Sequence, residues 1–288
     1  MVNQNNSSAI ACASGGFKAI FVHGVLSALE SAGFRADAYS AASASVVVAA
    51  FASVNRARKE GIDYWFKGME VYHHTKNLSQ VSLSGIEYFD SNCGEELFNQ
   101  ESQFYIAASK VITEEAAQQT QSKQARRLGK KLLISAGKKE RSWVDKHMKL
   151  DLFSTASKDN LALNRNNFTE VAYASTRMLH IYDQPAWIDH KPYVDASYTC
   201  ICPALEMVDR GFQTIIAIAT ETGKFYRDLF QSEVIPREYK QASIHIIKPD
   251  INPKDFGVDV FQATQEGLAA VYQHGLDKGK EFLAQSNN

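Results

Sequence analysis

DAYSAASASVVVAAF (residues 37–51) joins a short apolar run that suits a strand to a run of alanines and valines that suits a helix, with almost no room for a loop. A strand that turns straight into a helix strains its central residue and presses the helix against the strand. The positions two before and two after that residue must therefore be small. Here the pattern is Ala41-Ala42-Ser43-Ala44-Ser45. A nucleophile elbow usually reads G-x-S-x-G. Alanine and serine are the next smallest choices, so the steric requirement is nearly met although both glycines are absent. Ser43 then becomes a candidate nucleophile at a helix N-terminus, where unpaired N–H groups favour developing negative charge. Taken alone, the stretch also has a plainer reading, in which the serines cap a helix and the alanines pack it.

Outward from this join, short apolar runs bounded by turn residues recur at 9–14, 37–41, 104–109, 150–155, 214–220 and 243–249. Helix-like stretches separate most of them, such as 17–33 and 46–61, and 257–285 reads as one or two terminal helices. Strands apolar on both faces that alternate with helices predict βαβ units, hence an α/β fold in three layers around a mostly parallel central sheet. No internal repeat or low-complexity linker divides the chain, so residues 1–288 are expected to form one domain. Residues 113–148, polar and basic with no clear strand, read as a helical insertion in it.

Upstream of the elbow, SGGFKAIFVHGVLSALESAG (14–33) places Gly15-Gly16 after a strand and before a helix, which aims consecutive backbone N–H groups at the strand ends. A nucleotide-phosphate site would use the same geometry. However, neither G-x-G-x-x-G nor a Walker lysine-serine pair is present, so an oxyanion hole fits better.

These blocks resemble the patatin-like phospholipases. That family typically reads G-G-G-x-R-G followed by H-x-G-V-L-x-x-L-E-x-x-G, then I-D-x-I-x-G-T-S-A-G-A at the elbow. The similarity continues through FYIAAS (104–109), ASTRMLHIYDQPAWIDHKPYVDAS (174–197) and HGLDKGKEFL near the end, so it covers most of the chain in order. The resemblance implies a patatin-like fold and a lipid acyl hydrolase that cleaves acyl esters of phospholipids or related lipids through a Ser-Asp dyad, without a cofactor or metal. Ser43 matches the nucleophile and Asp195 the catalytic aspartate; Gly15, Gly16 and Phe17 fall where N–H groups form the oxyanion hole, and Lys18 takes the place of the usual arginine. The chain departs from the pattern at Ser14, Ala19, Ala41, Ser45, Ala196 and Ser197, and Cys200 stands near the place of a usual asparagine. Small-for-small replacement preserves close backbone approach unless a position needs positive φ, in which case activity falls. The competing expectation is therefore a patatin-fold binding or scaffold protein with weakened or lost catalysis.

A triad in the order Ser, Asp, His could instead use His245 or His274. His23 reads as a packing residue of the first helix, and the neighbours His73 and His74 cannot face one site. Cys200 and Cys202 suit a strand better than a metal site, because no histidine pair at ligand spacing accompanies them.

The 288 residues are 45% hydrophobic and 22% charged, a globular composition, and a net charge of −1 gives the whole chain no electrostatic claim on nucleic acid. That total conceals an asymmetry: residues 123–149 carry +8 and the remainder −9. Within Lys123–Lys149, Leu128, Leu132, Leu133, Ile134 and Trp143 could form one side of an amphipathic helix lying on an anionic membrane, or could pack that helix on the domain. MVNQNNSS lacks the features of a Sec-type signal, no run reaches the ~18 apolar residues of a membrane span, and the four cysteines are expected to be thiols. The chain thus reads as cytoplasmic with peripheral membrane contact, export without a cleavable signal being left open. Acyl-lipid substrate is the expected partner; oligomeric state and head-group preference are not legible.

Overall fold

Each of the six apolar runs forms a strand of one mixed sheet. The structure is a computed structural model that describes residues 7–286; the N-terminal stretch 1–6, on which part of the leader argument rests, lies outside the described residues. In chain order the elements are β1 (Ser8–Cys12), α1 (Ala19–Ser31), β2 (Ala38–Ala42), α2 (Ser45–Ser53), α3 (Ala57–Glu60), α4 (Asp63–Thr75), α5 (Leu78–Phe98) and β3 (Gln103–Val111). There follow α6 (Glu114–Thr120), α7 (Ala125–Gly137), α8 (Ser142–His147), β4 (Met148–Ser154), α9 (Phe168–Thr176), β5 (Ala186–Ile188) and β6 (Lys191–Val194). The chain continues through α10 (Ala204–Asp209), β7 (Thr214–Ile218), β8 (Glu238–Tyr239), β9 (Ala242–Ile247) and α11 (Gln265–Ser286).

The strand order is β5-β6-β3-β2-β1-β7-β9-β8, with β4 also paired to β3. The five central strands, β3, β2, β1, β7 and β9, are parallel, and every pairing of β4, β5, β6 and β8 is antiparallel. Side chains alternate across the sheet as a period of two demands. Ile10, Tyr39, Phe104, Ile106, Ile216 and Ile218 face a large core shared with α1, α2, α4, α5, α9 and α11. Ala9, Ala11, Ala38, Tyr105, Ile215 and Ala217 face a smaller one shared with α10. The fold is therefore α/β, with helices flanking a mixed sheet whose centre is parallel.

Two helices near opposite ends of the sequence make the closest helical crossing. A Cβ on Gly24 would sit 2.3 Å from the Tyr272 carbonyl oxygen, and one on Gly275 would sit 2.3 Å from that of Phe21. Only glycine lets α1 and α11 approach so closely.

Two expectations are corrected, and one region left unread is filled in. Residues 46–61 are not one helix: Asn55 at φ 62° separates α2 from α3. Cys200 and Cys202 lie in the loop before α10, both fully buried, rather than in a strand. His73 and His74 belong to the last turn of α4, and α4 and α5 together form a helical pair that the sequence reading passed over. Of the two readings of the basic stretch's leucines, packing on the domain is what occurs for Leu128 and Leu132, which enter a third core with Val111, Val144, Met148 and Tyr198. Residues 113–148 hold α6, α7 and α8 and the first residue of β4.

Candidate active site

The elbow sits where β2 runs into α2 with two residues between them. Ser43 occupies the left-handed region at φ 55°, a conformation costing of order 1–3 kcal/mol for a residue with a side chain, so the surroundings must over-determine it. They do so from three sides. The Ser43 N–H donates to Ser175 Oγ of α9 at 2.8 Å, the Ser43 carbonyl accepts the Val46 N–H at 3.0 Å, and Ser45 Oγ donates to the Ala13 carbonyl at 2.5 Å. Ser45 stands where glycine is usual, and its hydroxyl ties the start of α2 to the end of β1. Ala41 and Ser45 are completely buried, so anything larger would have to displace strand or helix.

Ser43 Oγ donates to Asp195 Oδ2 at 2.8 Å, across 152 positions of sequence. Asp195 follows β6 and is held through its backbone as well as its side chain. Its N–H donates to the Arg177 carbonyl at 2.9 Å, its carbonyl accepts from Ser109 Oγ of β3 at 2.8 Å, and its Oδ1 accepts the Ser197 N–H at 2.8 Å. Burial pushes the Asp195 carboxyl up to about 6, and hydrogen bonding from Ser197 and from the Ser43 hydroxyl restrains the rise. A carboxylate near 6 is still ionised at neutral pH and is a far better proton acceptor than one at its ordinary value.

Gly15 and Gly16 form the loop between β1 and α1. Gly16 lies at φ 57°, and a Cβ there would be 2.0 Å from the Val260 carbonyl oxygen, so position and conformation both require glycine. The replaced glycines make no such demand. None of Ser14, Ala19, Ala41, Ser45, Ala196 and Ser197 lies in the left-handed region, and the loops close without glycine at any of them.

Two of the sequence assignments are corrected here. The Phe17 N–H donates to the Val260 carbonyl at 3.2 Å and so is not free to meet an oxyanion, although the Phe17 ring lines the cleft. Lys18 is buried, its ammonium is paired with Glu221, and it does not line the cleft. The N–H groups of Gly15, Gly16 and Ala44 meet no acceptor among the described residues, and Gly16 and Ala44 line the cleft together with Ser43. Ala44, the residue after Ser43, was missed as a donor although its place in the elbow pattern is the signal for it. Ser175 and Ser109 were missed as well. Both lie in blocks that carried the family resemblance, but nothing in a single sequence says what their hydroxyls touch.

Ser43 and Asp195 open into a cleft with about 1110 Å³ of empty space, including its mouth. Val47, Trp65, Val71, Leu78, Val81 and Ile86 supply apolar walls, chiefly from α4 and α5. His23 accepts from Trp65 Nε1 at 2.9 Å and lies 2.8 Å from the Ala57 carbonyl through its other ring nitrogen; burial lowers it to about 4, so it holds the tryptophan as a neutral ring. No histidine is among the residues that line the cleft. His245 lies on β9 against Phe282, and His274 accepts the Asp250 N–H at 3.1 Å. The described residues contain no cluster of three metal-ligating side chains, and no helix of them is long and apolar enough to cross a membrane.

Chemically, the arrangement offers a strained hydroxyl, a carboxylate that can take its proton, backbone donors that could meet a developing negative oxygen, and an apolar trough. In comparisons with known proteins, no family model matches the chain and no curated protein matches it.

Proposed function

We propose that the protein is a patatin-like serine hydrolase that cleaves acyl esters of phospholipids or related lipids. The observation that carries this reading is the 2.8 Å contact between Ser43 Oγ and Asp195 Oδ2 beneath a large apolar cleft. In the proposed reaction Ser43 Oγ bonds to the ester carbonyl carbon while Asp195 takes its proton. The carbonyl oxygen becomes an oxyanion against the N–H groups of Gly15, Gly16 and Ala44. One such donor is typically worth about 2.7–4 kcal/mol in a transition state. Collapse breaks the bond to the alcohol, which leaves with the proton from Asp195, and the acyl group stays on Ser43. Water then attacks, Asp195 takes its proton, and the fatty acid is released as Ser43 recovers a proton.

The pairing is direct, so the scheme needs no histidine: a base of pKa about 6 fits a dyad at neutral pH. The apolar walls favour an acyl chain over a polar leaving group as the part held in the cleft. The competing reading, a scaffold without catalysis, is favoured by one observation, the engagement of the Phe17 N–H by Val260, which leaves one fewer donor in the loop. A fluorophosphonate probe separates the two. Labelling of the wild type that vanishes in Ser43→Ala supports the hydrolase; an unlabelled, folded wild type supports the scaffold. A product profile across lipid classes then names the substrate.

A further inference from the structure

Helix α7 packs with one face and presents a second, differently built face to solvent. Ala125, Leu128, Gly129, Leu132 and Ala136 are the buried side. At about 100° per residue, Arg126, Lys130, Arg127, Lys138 and Lys131 span an arc of roughly 140° away from it. Ile134 falls near the middle of that arc and is 63% exposed, more than any other large hydrophobic residue noted as exposed among those described. None of the five cations has a carboxylate within ion-pair distance among the described residues. Packing requires neither the isoleucine nor the ring of charge around it.

The opposite, buried side of the same helix adjoins the cleft. Gly129 lies so close to residues 179 and 180 that a Cβ on it would sit 2.5 Å from the His180 nitrogen. His180 packs edge-on against Phe261 at 5.5 Å between ring centres, and Phe261 and Met178 line the cleft of Ser43. Burial, with Lys130 and then Arg126 nearby, keeps His180 neutral by lowering it to about 4. One layer of side chains therefore separates the cationic helix from the trough.

We propose that this face of α7 docks on an anionic lipid surface, with Ile134 inserted at the headgroup boundary and Arg126, Arg127, Lys130, Lys131 and Lys138 on lipid phosphates. An exposed aliphatic side chain centred among cations is the chemistry of an interfacial helix. It adds nothing to binding a nucleic-acid backbone, where an aromatic platform or further cations would serve. Docking needs no turnover; that the same layer also holds the substrate rests on the lipid-hydrolase reading above.

The test uses the full chain carrying Ser43→Ala, so that vesicles are not consumed, in cosedimentation with phosphatidylcholine vesicles with and without about 30 mol% phosphatidylglycerol. Binding is expected on the anionic vesicles and to weaken steeply with salt. Reversal of Arg126, Arg127, Lys130 and Lys131 to glutamate is expected to lower partitioning at least about 100-fold, and Ile134→Ser about tenfold. In the Ser43-containing chain, both sets of substitutions should leave thermal stability and hydrolysis of a short soluble ester unchanged. Equal partitioning of the charge-reversed variant and its parent overturns the proposal. So does binding of single-stranded RNA that charge reversal abolishes and Ile134→Ser leaves untouched. Vesicle binding by a wild type that hydrolyses no ester keeps the docking surface and overturns the hydrolase reading instead.

Discussion

The elbow and residues 113–148 are built by opposite rules. Around Ser43 the chain uses small side chains and backbone groups: Ala41 and Ser45 are completely buried, and Gly16 cannot carry a Cβ. In residues 113–148 the chain uses long side chains, with leucines on one face of α7 and unpaired cations on the other. At the elbow a single methyl group matters because atoms already touch. On the outer face of α7 an exchange of lysine for glutamine should be nearly silent for folding, because water solvates both. The contrast teaches that the two regions respond to different perturbations, one to volume and one to charge.

The largest expected effect tests the elbow. Ser43→Ala should lower ester hydrolysis at least about 10⁵-fold while the circular dichroism spectrum is retained, because a hydroxyl is lost and no volume is added. Residual turnover comparable to wild type would place the nucleophile elsewhere.

Next comes Asp195→Asn, expected to cost about 10³–10⁴-fold in turnover. Its stability effect has a defined sign. Asp195 is raised to about 6 in the folded chain from an ordinary value of 3.8, so the folded state binds more protons between those values. Stability conferred by that proton is present at low pH and is lost as pH rises through about 6. Asparagine cannot ionise, so the variant should unfold at a higher temperature than wild type near pH 7, by an amount equivalent to roughly 1–3 kcal/mol, and show no advantage near pH 4. In wild type, kcat/KM for a soluble ester should rise across the same interval and level off above it. A thermal-shift series over pH, set beside the rate profile, checks both.

Gly16→Ala sharpens the volume rule. The Val260 carbonyl must move to admit a methyl group, which disturbs the loop bearing two candidate donors. The expected loss is about 10- to 100-fold in kcat with a smaller change in KM. Ala41→Gly, where φ is already negative and no left-handed conformation is needed, should change turnover far less.

The smallest effects belong to residues 113–148. Leu132→Ala should destabilise by about 2–4 kcal/mol in urea unfolding, because Leu132 is buried in the third core, yet leave soluble-ester turnover within a few-fold. Lys131→Gln should stay within about 0.5 kcal/mol. A large catalytic loss in Leu132→Ala at a temperature where it is folded would break the separation between the two regions.

How far the sequence reveals this molecule follows the same division. Strands β1, β2, β3 and β7 are parallel and buried on both faces, so they appear as continuous apolar runs and were readable; parallel β9 was readable from its isoleucines although Ser243 and His245 are exposed. The short antiparallel strands β5, β6 and β8, toward the two ends of the sheet, are two to four residues long and leave no such run. The elbow was legible because sterics restrict its composition. The contact between Ser43 and Asp195 was not, since no local pattern encodes a pairing across 152 positions; the expectation of it came wholly from resemblance. Phe17 was misassigned because a carbonyl from residue 260 takes its N–H, and chain distance hides that partner. The α4 wall was readable in principle, since Ile62, Trp65, Phe66, Met69 and Tyr72 recur at helical spacing.

The crossing of α1 and α11 bears on when the molecule becomes competent. Gly24 and Gly275 are 251 positions apart, and the carbonyl that accepts the Phe17 N–H comes from Val260, nearly as late in the chain. A nascent polypeptide that has emerged only as far as Ser43 thus lacks both the clamp on α1 and the brace on its glycine loop. Contacts of such high sequence separation close late in folding. The Ser43–Asp195 site should therefore be completed only after α11 has emerged and docked.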